Sequence, residues 1–92
     1  MLTAIVTIKT DVDKIPEVAE AVSALNGVSE AYSVTGEWNL IAIVRVRAHE
    51  ELAELIPGRL NKIPGIVRTE THIAFRAYSS RDLEAAFSLG LE

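Results

Sequence analysis

Cysteine is absent from this chain of 92 residues. No disulfide framework, thiolate nucleophile or Cys-ligated zinc or iron–sulfur centre can therefore be built from it. Basic runs are absent too: nine Lys and Arg lie scattered against thirteen Asp and Glu, for a net charge of -4 and a pI near 5.1. Phosphate backbones are gripped by clustered cations, so direct nucleic-acid binding is not expected. No apolar stretch approaches the roughly 20 residues of a membrane-spanning helix. The opening MLTAIVTIKT has no basic region before its apolar residues and no small-residue cleavage site, so it does not read as a secretory leader. The expectation is a cytoplasmic protein without membrane contact.

Residues that carry chemistry are few. The chain has two histidines, and no GxGxxG, Walker or GxSxG motif. His49 falls at an expected helix start and His72 on an outward strand row with Arg68, Glu70 and Arg76; neither sits in an acidic cluster with metal-ligand spacing. No catalytic residue, metal or cofactor is expected. Glu50, Glu51 and Glu54 read as a solvated helix face.

What remains is an ordered chain, 49% hydrophobic and 24% charged, of a length that supports one domain. Residues 2–9, LTAIVTIK, are β-branched and apolar, as a strand buried on both faces requires. An amphipathic helix follows, with Asp13 as N-cap, Pro16 in its first turn and Ile15, Val18, Ala19, Val22 and Leu25 at helical spacing, ending at Asn26-Gly27. Residues 28–35 alternate, with Val28, Glu30, Tyr32 and Val34 on one face. After a turn over Gly36 to Asn39, residues 40–47 form a second apolar strand, and the two make a hairpin. A second helix starts near His49, with Leu52, Leu55, Ile56 and Leu60 on one side. Pro57-Gly58 must kink or break it, since proline removes a donor and clashes with the preceding turn. A last strand is expected over residues 66–78, and a C-terminal helix capped by Ser79 or Ser80 over the remainder.

LNGVSEAYS after the first helix and LNKIPGIVRTET after the second mark two similar strand-helix-strand halves. Joined, they give an α+β, ferredoxin-like βαββαβ fold: a four-stranded antiparallel sheet with both helices on one face and the first and third strands central. The opposite face then exposes Ile5, the neighbours of Ile41 and Ile43, and Ala74. A second copy of the same sheet is the economical cover, giving a homodimeric α/β sandwich or barrel.

The turn itself is unusual. Gly36 permits positive φ and exposes backbone N–H groups, Glu37 can meet an ammonium, Asn39 offers a donor and an acceptor, and Trp38, the only tryptophan, adds a large apolar surface. Such a set suits a small zwitterion. Thr69 and Thr71, on one side of the last strand, are either ordinary β-formers or a pair of hydroxyl ligands.

VSEAYSVTGEWNLIAIVRV followed by LNKIPGIVRTETHIAF resembles the effector-binding domain of the Lrp/AsnC transcription regulators. The resemblance covers residues 1–78, leaving 79–92 as a helical tail, and is sharpest at Gly36 and at Thr69, Glu70 and Thr71. It implies dimers formed through the sheets, rings of dimers, and an amino-acid-like effector bound between subunits. The ligand-binding residues implied are Gly36, Glu37, Trp38, Asn39, Thr69 and Thr71. Asn39 departs from the family, where many members have Asp at this position, and a neutral amide forms weaker bonds to an ammonium than a carboxylate does. Full-length members carry an N-terminal helix-turn-helix ahead of this domain. The expectation is accordingly a stand-alone effector domain that modulates full-length Lrp/AsnC regulators by co-assembly. The alternatives of the same fold are a small dimeric ferredoxin-like monooxygenase and an ACT-like regulatory fragment.

Overall fold

The computed structural model describes residues 1–78. The C-terminal helix expected after Tyr78 lies outside them. Four strands form one antiparallel sheet: β1 (Leu2–Thr10), β2 (Val28–Ser33), β3 (Leu40–Val46) and β4 (Ile66–Ala74), in the order β2-β3-β1-β4. The apolar strands β1 and β3 are central, as their composition requires. Helices α1 (Ile15–Ser23) and α2 (His49–Leu55) connect them, giving the βαββαβ order of a ferredoxin-like α+β fold.

Alternation along the strands sorts the side chains. Ala4, Val6, Ile8 and Thr10 of β1, with Leu40, Ala42, Val44 and Val46 of β3, point towards the helices and are buried. They close one core with Val18, Val22, Leu52, Leu55, Ile56 and Leu60. At about 1.5–3 kcal/mol for each large aliphatic side chain removed from water, this layer is the main favourable term of the fold. The other row, Ile5 between Ile43 and His72 and Thr7 between Ile41 and Glu70, lies on the bare face.

Several boundaries differ from the expected ones, each for a local reason. Asp13 does not cap α1; it sits inside a 3-10 turn, Val12–Lys14, and Lys14 takes the cap position without a side-chain bond. Helix α1 stops at Ser23 rather than at Asn26-Gly27, because i→i+3 bonds from Leu25 N to Val22 O (3.1 Å) and from Val28 N to Leu25 O (3.1 Å) tighten its exit. Strand β2 does not keep a single alternation. A register shift between Val28 and Glu30 sets Val28 opposite Val44 on the core side, while Glu30 and Tyr32 face the bare side opposite Ile43 and Ile41. Helix α2 breaks before Pro57, and a 3-10 turn, Leu60–Lys62, then carries Leu60 into the core. Strand β4 ends at Ala74, not at Tyr78, because Ala74 pairs with Thr3 near the start of β1 and the sheet offers nothing beyond it.

The two halves repeat one device. Gly27 and Gly65, each just before an outer strand, have φ of +100° and +98°. Each also accepts a bond on its carbonyl from the chain beside it, Arg45 N to Gly27 O at 2.8 Å and Asp11 N to Gly65 O at 2.9 Å. A Cβ on Gly65 would stand 2.9 Å from Val18 Cγ2, so that position excludes other residues by backbone and by space alike.

Candidate functional site

The hairpin turn between β2 and β3 is closed by a bond from Val34 N to Asn39 O (3.0 Å). Gly36, at φ +105°, adopts the left-handed region that only glycine enters freely, and a Cβ there would meet nothing within 4 Å. The requirement at Gly36 is conformational alone.

Asn39 fastens this turn to β1. Its backbone N–H donates to Ile8 O (2.9 Å), and its side-chain Oδ1 accepts from Thr10 N (2.9 Å). Thr10 follows the irregularity at Lys9/Thr10, where the pairing of β1 with β4 slips. The amide oxygen thus stands in for a ladder carbonyl at a point where the strand has bent away. That acceptor is committed within the chain, and an Asp carboxylate would supply the same one. Asn in place of the Asp that the resemblance implies here keeps the structural bond.

Two residues that the sequence did not single out for the site complete its surroundings. Lys9 and Arg68 are paired neighbours on β1 and β4. Lys9 Nζ donates to the Glu37 carbonyl (2.8 Å), and Arg68 Nη2 meets Glu37 Oε1 at 3.1 Å. The Arg68 guanidinium also lies over the Trp38 ring, 4.7 Å from its centroid, a cation–π distance. Trp38 is consequently half-buried within one chain, though it stands on a hairpin turn. Two cations and one carboxylate meet here, a local excess of positive charge in an acidic protein.

Thr69 and Thr71 are placed differently. They pair with Ile8 and Val6, whose side chains face the helices, so both hydroxyls lie on the helix side of the sheet, while Arg68 and Glu70 occupy the bare side. Thr69 Oγ1 bonds Asn61 Oδ1 (2.9 Å), tying β4 to the 3-10 turn that follows α2. Within one chain, then, Gly36, Glu37, Trp38 and Asn39 gather with Lys9 and Arg68, and the two threonines do not join them. No sequence signal pointed to Lys9 or Arg68, since their proximity to the turn depends on strand pairing across 28 and 31 residues.

On the bare face, Glu30 accepts a hydrogen bond from the Tyr32 hydroxyl, which raises the Tyr32 pKa above its ordinary value. Arg45 lies 3.9 Å from Glu30, and His72 lies 3.1 Å from Glu70. A depression of about 730 Å³ opens over this face beside Ile5, Ile43, Tyr32 and Phe75. Phe75 is fully exposed. Among the described residues, no three His, Cys, Asp or Glu side chains gather as a metal would require, and no helix is long and apolar enough to cross a membrane.

A profile of the Lrp/AsnC ligand binding domain matches residues 3–83. The chain belongs to the Lrp/AsnC ligand-binding domain family. An uncharacterized HTH-type transcriptional regulator of Pyrococcus furiosus is 36% identical over 76 residues, covering 79% of this chain and 51% of that regulator. Across the first curated relatives, the chain spans 39% to 51% of their length. Among solved structures, TTHA0845 from Thermus thermophilus superposes with a TM-score of 0.81 at 40% identity, covering 86% of this chain and 99% of that one. The transcriptional regulator NMB0573 of Neisseria meningitidis, solved as an L-Met complex, shares the fold with a TM-score of 0.77 at 14% identity, over 85% of this chain and 52% of that chain.

Proposed function

We propose that this chain is a stand-alone Lrp/AsnC effector domain, with residues 1–78 as the binding domain and 79–92 as a tail. It dimerises through the bare sheet face, assembles further into rings of dimers, and binds a small amino-acid-like effector where hairpin turns meet between subunits. Co-assembly with full-length Lrp/AsnC regulators in the cytoplasm is its route to transcription; it contacts no DNA itself and catalyses no reaction. Gly36, Glu37, Trp38 and Asn39 form one wall of the effector site, and Thr69 and Thr71 of a neighbouring subunit contribute hydroxyls from the other side.

The observation that carries this reading is the turn: an indole, a carboxylate and a guanidinium meet at a hairpin turn that a left-handed glycine shapes. Opposite charges beside an apolar wall match a zwitterion with a side chain. Its relatives' names speak for regulation over the monooxygenase alternative, since they are HTH-type transcriptional regulators. The L-Met complex of the Neisseria meningitidis regulator places an amino acid with this fold in another protein. The stand-alone part is supported by the solved Thermus thermophilus chain, 99% of which is covered.

Trp38 is the only tryptophan, so its emission reports this turn alone. Titrating the assembled protein with each of the twenty amino acids, to about 10 mM so as to reach millimolar sites, is expected to shift that emission for at least one. Silence across the whole set would end the effector reading.

A further inference from the structure

The hairpin turn lies at one end of the sheet, where Ile8 pairs with Leu40; at the other end, where Leu2 pairs with Val46, the surface is hollowed. The seven residues of β3 set the two ends about 20 Å apart. A depression of about 320 Å³ opens there between the end of β3, the bend at Asn26 and Gly27, and helix α2. Arg45, Arg47 and Arg59 line it against Glu51 and Glu54, so cations outnumber anions at one place on an acidic chain. Its floor is apolar, formed by Val46 and Leu55, which are themselves buried.

The three arginines are fixed at their backbones. Arg45 N donates to Gly27 O at 2.8 Å, Arg47 N to Glu51 Oε2 at 3.2 Å and Arg59 N to Leu55 O at 3.1 Å. The Glu51 carboxylate is thereby engaged by the backbone, and Arg45 has Glu30 at 3.9 Å. Among the described residues, the Arg47 and Arg59 guanidiniums pair with no carboxylate, and the Glu54 carboxylate pairs with no cation. Two unpaired guanidiniums and an acceptor over an apolar floor, in a hollow of the size that small molecules occupy, leave bonding capacity for a ligand to fill.

We propose that this depression is a second ligand site, separate from the hairpin turn, for a small phosphorylated molecule. Guanidinium forks match phosphate oxygens two at a time, and a phosphomonoester carries about 1.5 to 2 negative charges at neutral pH, enough to meet both Arg47 and Arg59. A monocarboxylate would satisfy only one of them. Glu54, which only accepts when ionised, takes a hydroxyl of the ligand, and Val46 and Leu55 take its carbon skeleton. Arg45 stays with Glu30 and closes the rim. None of this depends on what the hairpin turn binds.

The test titrates the full chain by calorimetry with glycerol 3-phosphate, inorganic phosphate, glycerol and succinate, to about 10 mM so as to reach millimolar sites. Glycerol 3-phosphate is expected to bind most tightly, inorganic phosphate more weakly and glycerol not at all. Arg47→Gln and Arg59→Gln should each weaken glycerol 3-phosphate by about tenfold, the loss of one charge-assisted contact. Glu54→Gln should also weaken it, while inorganic phosphate binds at least as tightly as to the native protein. Lys14→Gln removes the same charge from a half-exposed side chain beyond the other end of β1, and should leave every affinity within about twofold. Circular dichroism checks that these exposed substitutions keep the fold. Absence of glycerol 3-phosphate binding, succinate binding as tightly, native affinity in both arginine variants, or an equal loss in Lys14→Gln would each overturn the site. The amino-acid titration at Trp38 stands or falls separately from all of these.

Discussion

Val6 and Ile5 are adjacent on β1, and the sheet divides them. Val6 faces the helices and is fully buried; Ile5 faces away and keeps 36% of its surface in water, although Ile43 and His72 flank it. The covered face is closed by the chain's own α1, α2 and Leu60, whereas the bare face collects Ile5, Ile41 and Ile43 within a border of charged pairs. Apolar strand residues at the centre of an uncovered sheet are the arrangement that a second sheet closes. One face therefore closes the core, and the other is the one on which the proposed dimer would form.

The largest effect is expected on the covered face. Leu60 is fully buried, although it follows the break at Pro57, and it joins the end of the second crossover to the core. Leu60→Ala should lower unfolding stability by about 2–5 kcal/mol, the usual cost of a large-to-small core change. Urea melts of native and variant at one fixed protein concentration measure it. A loss under about 1 kcal/mol would mean that the region after the break contributes little to closing that face.

Ile5→Arg tests the bare face and should separate assembly from folding. Within a single chain the new guanidinium reaches water, so the far-ultraviolet circular dichroism spectrum should persist. In a sheet-to-sheet dimer the same charge is buried without a partner, at a cost of several kcal/mol. Light scattering should then report the 10.0 kDa single chain where the native protein gives a multiple of it. An unchanged mass for Ile5→Arg would move the dimer contact off this face.

How much of this could be read beforehand divides along the same line. The central strands, the βαββαβ order and the break at Pro57 follow from local composition, because strand burial and proline sterics act over a few residues. The left-handed glycine of the hairpin turn, Gly36, was legible for the same reason, whereas the positive φ of Gly65 was not read. The shift at Val28 and Glu30 was not, since a bulge inserts a residue without altering the alternating look of VSEAYS. The surroundings of Trp38 were legible only in part. Gly36, Glu37, Trp38 and Asn39 are consecutive and meet by necessity, but Lys9 and Arg68 arrive through the β1–β4 register. Thr69 and Thr71 were correctly placed on one side of the last strand; which side they took depended on the same register, and it set them away from the turn.

The smallest effect belongs to Asn39, where the two faces are joined at the end of the sheet. Its Oδ1 is the partner of the Thr10 N–H, and Thr10 is itself buried, 4% exposed. Asn39→Ala strands that donor, and a buried N–H without an acceptor costs about 1–3 kcal/mol. Asn39→Asp keeps an acceptor at the same reach, so its stability should fall within about 0.5 kcal/mol of the native protein. Urea melts rank the three proteins. If Asn39→Asp proves as damaging as Asn39→Ala, the oxygen is not what position 39 supplies, and the bond to Thr10 does not hold the turn. If the expected ranking appears and calorimetry gives Asn39→Asp and native protein the same amino-acid affinity, then position 39 acts through the backbone frame, and the charge that selects the ammonium lies elsewhere on the turn, at Glu37.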